Sequence, residues 1–189
     1  MTGNGDPTIS SVLVWVGDRT WRACVDAARR LPPDGTRITL IHVTEGESPD
    51  AVHGAYLGLM GRRPADRDPG ARITEYALSS AAELLEAAAL RLGRPCERIA
   101  RQGRPEHEVV RAAADADLLI VARDGDQSRL GPKSLGKEPR FVVDHAPCPV
   151  LLIWPGPTPD VGTLPPAPRH QDPPHPAQKH PGPPPPHRA

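Results

Sequence analysis

The sequence predicts an α/β domain in which a parallel β-sheet carries helices on both faces, followed by a disordered, Pro-rich C-terminal tail. Two observations predict the sheet. The first is that short apolar segments alternate with amphipathic segments of helical length, and the second is that polar residues do not alternate with apolar ones inside the apolar segments. This order is typical of parallel strands joined by right-handed helical crossovers. The third observation is that 14 of the 26 prolines lie between Pro155 and Ala189.

The proline distribution divides the chain into two regions. Residues 8–155 form the predicted domain, and residues 156–189 form the tail. The tail has only two large apolar residues, Val161 and Leu164, so it cannot bury enough surface to offset the entropy lost on ordering. We therefore expect a disordered tail that favours polyproline II conformations.

The first half of the domain is predicted to contain two strands and one helix. SVLVWV (11–16) is a largely β-branched run, as expected of a strand that is buried on both faces. Residues 18–31 follow, with apolar side chains at helical spacing on one face and charged side chains on the other. The turn at residues 32–35 ends that helix, and RITLIHV (37–43) is the second strand.

A long connection, residues 44–70, separates the two halves. It could contain one short helix, built on four larger apolar residues: Val52, Tyr56, Leu57 and Met60. Residues 71–93 carry the clearest helical pattern in the chain, with an apolar face of Ala and Leu opposite a charged face. Gly93 is placed to end that helix.

The remaining elements alternate in the same way. The weak pattern of CERIARQ (96–102) is typical of an edge strand, and the proline and acidic residues that open 105–116 favour a helix start. DLLIVA (117–122) is predicted as a buried strand. A glycine-containing loop follows, Gly136 is placed to open the last helix, and CPVLLIW (148–154) is the last strand.

Charge, cysteine usage and the N-terminus argue against several classes of function. Basic and acidic residues balance at 23 each, so we expect no binding to nucleic acid or to a membrane surface. Three cysteines without CxxC spacing indicate neither a disulfide framework nor a zinc site. The N-terminus lacks a basic head and a long apolar run, which predicts a cytoplasmic protein. No serine or cysteine has a base and an orienting group at a readable spacing, so we expect no enzyme.

Four segments together resemble the universal stress protein (UspA-like) family. They are VLVWV, RITLIHV, RQGRPEHEVVRAAADADLLIVARDG and LGKEPRFVVDHAPCPVLLIWP. They cover nearly the whole predicted domain in the family's order, and HAPCPVLLIW is the most specific piece. The resemblance implies a five-stranded sheet of order 3-2-1-4-5, a homodimer formed through the last strand and no catalytic machinery. It also implies ATP binding in many members, whereas others have lost the nucleotide.

The family's ATP-binding members share a loop pattern, Gly-x2-Gly-x9-Gly-Ser/Thr, which falls here at VARDGDQSRLGPKSLGKEPRF (121–141). If Gly125 is the second glycine, Ala122 takes the first position, ten residues separate Gly125 from Gly136, and Lys137 stands in the Ser/Thr position. Glycines allow the backbone to approach phosphate oxygens, and the helix start offers free N–H groups to the anion. These four residues are the candidate phosphate side of the site. Asp124 and Asp126, in the same loop, oppose an anion.

The adenine side of the predicted site also departs from the family pattern. ATP-binding members generally place an aspartate directly after the first strand, where this chain has Gly17, with Asp18 one residue later. Asp18 could equally be the N-cap of the first helix. The backbone at Val43, at the end of the second strand, is the candidate wall for adenine.

Two hypotheses of function remain open at this point. The leading one is a non-enzymatic, dimeric stress-response domain that could bind ATP through the altered loop, with Mg²⁺ present only if ATP binds. The alternative is a nucleotide-free dimeric interaction module that recruits a protein partner through its dimer surface and its Pro-rich tail. A third, weaker hypothesis is loose metal binding by the four tail histidines: His170, His175, His180 and His187.

Overall fold

The computed structural model describes residues 9–46, 69–164 and 166 of the 189-residue chain. The five strands in these ranges are β1 (Ser11–Trp15), β2 (Arg37–Glu45), β3 (Glu97–Gly103), β4 (Leu118–Ala122) and β5 (Val150–Ile153). The α-helices are α1 (Trp21–Arg30), α2 (Pro69–Leu92), α3 (Pro105–Ala112) and α4 (Lys137–His145). The predicted short helix inside 44–70 falls largely in residues 47–68, outside the described residues.

The strands form one sheet in the order β3-β2-β1-β4-β5, and every neighbouring pair is parallel. In the register of the central strand, Val12 lies between Ile38 of β2 and Leu118 of β4. The predicted fold class and strand order are therefore confirmed. Because the strands are parallel, the carboxyl ends of β1, β2 and β4 meet at one edge of the sheet.

Apolar residues fill both faces of the sheet, which explains why the central strands lack polar alternation. Val12, Val14 and Val16 point to the face that α1 and α2 cover, where Leu85 and Leu92 of α2 are also buried. Leu13 and Trp15 point to the opposite face, where Val109 of α3 and Val142 of α4 close the core. Successive residues of one strand thus anchor helices on opposite faces.

The first helix begins later than predicted. Residues 17–20 form a turn in which the N–H groups of Thr20 and Trp21 donate to the carbonyl oxygen of Gly17, at 3.1 and 2.9 Å. Thr20 is consequently the N-cap of α1, and its side chain makes no capping hydrogen bond. The alternative interpretation of Asp18 as the N-cap is wrong, because the tight turn places this residue before the helix, where its side chain is 83% exposed.

The chain continues past β5 into a short ordered segment. Residues Val161–Thr163 form a single 3₁₀ turn that Asp160 caps, and the hydroxyl oxygen of Thr163 accepts a hydrogen bond from the Leu130 N–H at 2.9 Å. The start of the Pro-rich tail therefore contacts the loop that follows β4. Residue 165 and residues 167–189 lie outside the described part of the chain. In the part that is described, no helix has the length and apolar character needed to span a bilayer.

Candidate ligand site at the carboxyl edge of the sheet

The predicted adenine-side residues come together where β1, β2 and β4 end. A cavity of about 410 Å³, here called the β1–β2 cavity, lies beside Gly17, Asp18 and Val43. A smaller one of about 160 Å³, the β1–β4 cavity, lies beside Gly17, Asp18 and Ala122. The two cavities lie side by side along the sheet edge, because they share four lining residues: Trp15, Gly17, Asp18 and Glu138.

The predicted phosphate-side residues lie in the loop between β4 and α4. Gly136 is the N-cap of α4, as expected, and Lys137 is the first residue of the helix, with an exposed side chain. The N–H of Gly136 donates to Asp124 Oδ1 at 2.9 Å. A Cβ atom at Gly136 would collide with the same carboxylate, whose Cγ atom would lie 2.8 Å away. The anion position at this helix start is therefore filled by a carboxylate of the chain itself.

Gly125 is required by packing within the loop. Its N–H donates to the Ser134 carbonyl oxygen at 3.1 Å, and the next residue, Asp126, donates to the Lys133 carbonyl oxygen at 2.9 Å. A Cβ atom at Gly125 would collide with the Lys133 carbonyl oxygen and would lie 2.9 Å from the Ser134 carbonyl carbon. Backbone, rather than open space for a phosphate, thus occupies the position that a side chain would take.

Other polar side chains of this loop also bond within it. Arg123 lies over the ring of Trp154, 4.8 Å from its centroid, and its guanidinium donates to the fully buried hydroxyl of Ser134 at 2.6 Å. Arg129 Nε pairs with Asp126 Oδ2 at 3.0 Å. Arg140 donates to the carbonyl oxygens of Pro132 and Leu135. Three arginines of the loop are therefore used to close it, whereas the side chains of Lys133 and Lys137 are exposed.

The carboxyl edge carries an excess of negative charge. Desolvation raises the pKa of Glu138, and repulsion from Glu45, Asp124 and Glu106 raises it further. Of these neighbours, Glu106 has a cationic partner, because the Arg104 guanidinium lies 2.7 Å from its Oε1. Lys137 opposes the effect on Glu138 but is the smallest of the resolved causes. A triphosphate placed here would meet like charge.

His42 is the polar group buried most deeply in the β1–β2 cavity, with only 8% of its surface exposed. Its Nδ1 lies 2.8 Å from the carbonyl oxygen of Val16, so Nδ1 carries the proton and donates. The other nitrogen, Nε2, lies 4.0 Å from Asp18 Oδ1, which is beyond hydrogen-bonding distance. This hydrogen bond ties the end of β2 to the residue that follows β1.

The observed geometry does not fit a nucleotide triphosphate at the loop. Asp124 occupies the helix start, the backbone of the loop packs against Gly125, and the neighbouring carboxylates repel an anion. The sequence pattern identified the altered glycine spacing but not the position of Asp124, Glu45 and Glu138 in space. Their nearness depends on the fold, because Glu45 ends β2, Asp124 lies in the loop after β4 and Glu138 lies in the first turn of α4. Among the described residues, no group of three or more His, Cys, Asp or Glu residues is arranged to hold a metal ion.

The fold defines the class of protein: an open, parallel α/β domain with a concave edge at the carboxyl ends of the strands. Residues 11–153 match the model of the universal stress protein family, and the chain belongs to that family. A curated relative from Thermus aquaticus, a universal stress protein encoded in the QAH/OAS sulfhydrylase 3′ region, is 29% identical over 139 residues. That match spans 72% of this chain and 90% of the relative.

Two solved structures share this fold. One is a universal stress protein in complex with cAMP, with a TM-score of 0.52 and 18% identity over 79% of this chain and 99% of the other. The second is the hypothetical protein MJ0577, which was the subject of a structure-based assignment of biochemical function. Its TM-score is 0.54, with 17% identity over 78% of this chain and 96% of the other. At these identities the likeness establishes the fold alone.

Proposed function

We propose that the chain is a non-enzymatic, dimeric stress-response domain that acts by binding partner proteins and does not hold ATP through its altered loop. The observation that carries this proposal is the hydrogen bond from the Gly136 N–H to Asp124 Oδ1 at 2.9 Å. A carboxylate at that point supplies the negative charge that a phosphate would otherwise bring to the start of α4. The nucleotide-free alternative of the two sequence hypotheses is therefore the better supported.

Titration calorimetry with ATP and Mg²⁺ tests the nucleotide part of this proposal. We expect no saturable heat with the wild-type chain at millimolar ATP. Asp124→Ala removes one negative charge and frees the Gly136 N–H, so its affinity for ATP should rise at least about tenfold, as for one charge-assisted hydrogen bond. Asp126→Ala is the matched control, because Asp126 bonds to Ser128 and Arg129 and not to the helix start.

Two outcomes of that titration would contradict the proposal. Wild-type binding tighter than about 100 μM, an affinity of roughly 5.5 kcal/mol, would contradict the nucleotide-free domain. Equal behaviour of the Asp124 and Asp126 variants would contradict the assignment of the block to Asp124.

ATP binding through the altered loop is the second candidate. The β1–β2 cavity favours it, because open space remains beside Val43, Gly17 and Asp18, the residues proposed for the adenine side. The universal stress protein solved with cAMP belongs to the same fold, which gives a precedent for an adenine-containing ligand. For this candidate Asp124 would have to leave the helix start, with Ala122, Gly125, Gly136 and Lys137 then facing phosphates. Mg²⁺ would accompany ATP only in that case.

The dimer is proposed to form through β5. This strand pairs with β4 on one side, and all four of its residues are half-buried in the single chain. An apolar, unpaired strand edge is suited to pairing with a second copy. Sedimentation equilibrium should give twice the monomer mass at micromolar concentration, and a monomer there would contradict this interface. The Pro-rich tail is the proposed site for a further protein partner in a cytoplasmic setting.

A further inference from the structure

We propose that residues 154–163 form a strap that holds the tip of the loop between β4 and α4 (residues 126–131) in place, and that this strap opens while the domain stays folded. The strap leaves the sheet at the end of β5 and leads to the start of the Pro-rich tail. It is fixed to the same loop at both of its ends. The strap itself goes beyond the proposed function, and only its consequence for a tail-binding partner rests on that function.

The first anchor of the strap is the ring of Trp154, directly after β5. The Arg123 guanidinium lies 4.8 Å from the centroid of this ring and also donates to the buried hydroxyl of Ser134 at 2.6 Å. The backbone N–H of Arg123 donates to the Ile153 carbonyl oxygen at 2.9 Å. Because a ring contact and a backbone bond coincide here, this end of the strap is a firm hinge on the sheet.

The second anchor is the hydroxyl group of Thr163. Its oxygen accepts a hydrogen bond from the Leu130 N–H at 2.9 Å, and the same hydroxyl donates to the Asp160 carbonyl oxygen at 2.6 Å. One hydroxyl therefore fastens the strap to the loop tip and the strap to itself. Leu130 lies outside the helices and strands, so its N–H depends on this side chain for a partner within the chain.

The turn that carries this second anchor is held by few interactions. It is a single 3₁₀ turn, in which the N–H groups of Thr163 and Leu164 donate to backbone carbonyl oxygens at 2.9 and 3.1 Å. Val161 is 70% exposed and Leu164 is 55% exposed, so little apolar surface is buried when the turn forms. A short 3₁₀ turn with little buried surface opens at a much lower cost than the core of a domain.

The backbone on either side of the turn defines the open form. Asp160 has φ −61° and ψ 147°, and Leu164 has φ −59° and ψ 133°, which is the polyproline II region for both residues. Extending the three residues between them joins the strap and the tail into one extended segment and breaks the bond from Leu130 to Thr163. A partner that binds the start of the tail as polyproline II therefore opens the strap, so partner binding and a fixed loop tip oppose each other.

Amide hydrogen exchange of the full chain, followed by NMR, tests the strap. In Thr163→Val, exchange of the Leu130 amide should rise at least about tenfold, as for the loss of one hydrogen bond. The Asp126 amide, which bonds across the loop to the Lys133 carbonyl oxygen, should also exchange faster, because the loop tip is released. Thr163→Ser is the matched control, since it keeps the hydroxyl, and its exchange rates should stay near those of the wild type.

The Leu119 amide is the reference for unfolding of the whole domain, because it bonds from β4 to the Pro149 carbonyl oxygen at 2.9 Å. It should exchange at the same rate in the wild type and in both variants. An unchanged Leu130 amide in Thr163→Val would overturn the second anchor. A rise confined to Leu130 would overturn the hold on the loop tip, and an equal rise at Leu119 would overturn opening without unfolding.

The exchange experiment uses neither a partner nor a nucleotide, so its outcome is separate from that of the ATP titration. Loss of the strap proposal on these grounds would leave the nucleotide-free domain standing. ATP binding by the wild-type chain would contradict the proposed function and leave the strap standing.

Discussion

Two aspartates at opposite ends of the same strand, β4, have different surroundings. Asp117, just before the strand, accepts hydrogen bonds at its Oδ2 from the N–H and hydroxyl groups of both Ser10 and Ser11, at 2.6 to 3.0 Å. These bonds lower its pKa to about 2. Asp124, two residues after the strand, accepts one described hydrogen bond, from Gly136.

One edge of the sheet therefore holds a carboxylate with several hydrogen bonds, whereas the other edge holds carboxylates that repel one another. At the amino edge, Asp117 joins the start of β1 to the start of β4. At the carboxyl edge, Glu45 and Glu138 face a cavity without a described ion-pair partner. A hydrogen-bonded carboxylate stabilises a fold, whereas a desolvated carboxylate beside like charges destabilises it.

Replacing Asp117 should produce the largest loss of stability. Asp117→Ala removes the acceptor for four donors at the junction of β1 and β4, so its melting temperature should fall further than that of any variant below. Asp117→Asn keeps one acceptor oxygen, so its melting temperature should lie between those of Asp117→Ala and the wild type. Differential scanning calorimetry at pH 7 measures both. A melting temperature unchanged in Asp117→Ala would show that the amino edge is not the stabilising one.

The stability that Asp117 contributes should depend on pH. Because hydrogen bonds lower the folded pKa of Asp117 to about 2, below its ordinary value of 3.8, its contribution to stability is present above pH 3.8 and is lost as pH falls through 2. The wild-type chain should therefore lose its advantage over Asp117→Asn in acid. Calorimetric scans at pH 7 and at about pH 2 check this, and a constant difference would contradict it.

A smaller loss of stability is expected from replacing Gly125 in the loop between β4 and α4. Gly125→Ala places a Cβ atom against the backbone at Lys133 and Ser134, so the loop must shift, at a cost of about 1–3 kcal/mol. Gly156→Ala is the matched control, since an added Cβ there meets no heavy atom within 4 Å. Urea unfolding measures both. Equal stability of the two variants would contradict the close packing of the loop.

The smallest expected effect is a gain of stability on replacing Glu138. Glu138→Gln removes an ionised group whose pKa is raised by desolvation and by neighbouring carboxylates. With a raised folded pKa, the wild-type glutamate is tolerated below its ordinary pKa and destabilises as pH rises through the folded value. The variant should therefore melt slightly higher than the wild type at pH 7 and no higher at about pH 4. A lower melting temperature at pH 7 would indicate a structural role for Glu138.

Residue patterns predicted the strands well where both faces of the strand are buried. The run of β1 identified a strand covered on both faces, and the alternation of β4 and β5 with helices predicted a parallel sheet. Gly136 was identified as the start of the last helix. The start of α1 was missed, because the turn at residues 17–20 depends on hydrogen bonds to the Gly17 carbonyl rather than on the N-cap preference of Asp18.

The sequence by itself determined the fold class, the family and the altered glycine loop, because hydrophobic period and local motif chemistry are readable along the chain. Only the tertiary structure decided how Asp124 is used and which side chains share the β1–β2 cavity. Asp124 and Gly136 are twelve residues apart, and His42 and Glu138 come from β2 and α4. Contacts between distant residues depend on the packing of the sheet and helices, which the order of residues along the chain does not express.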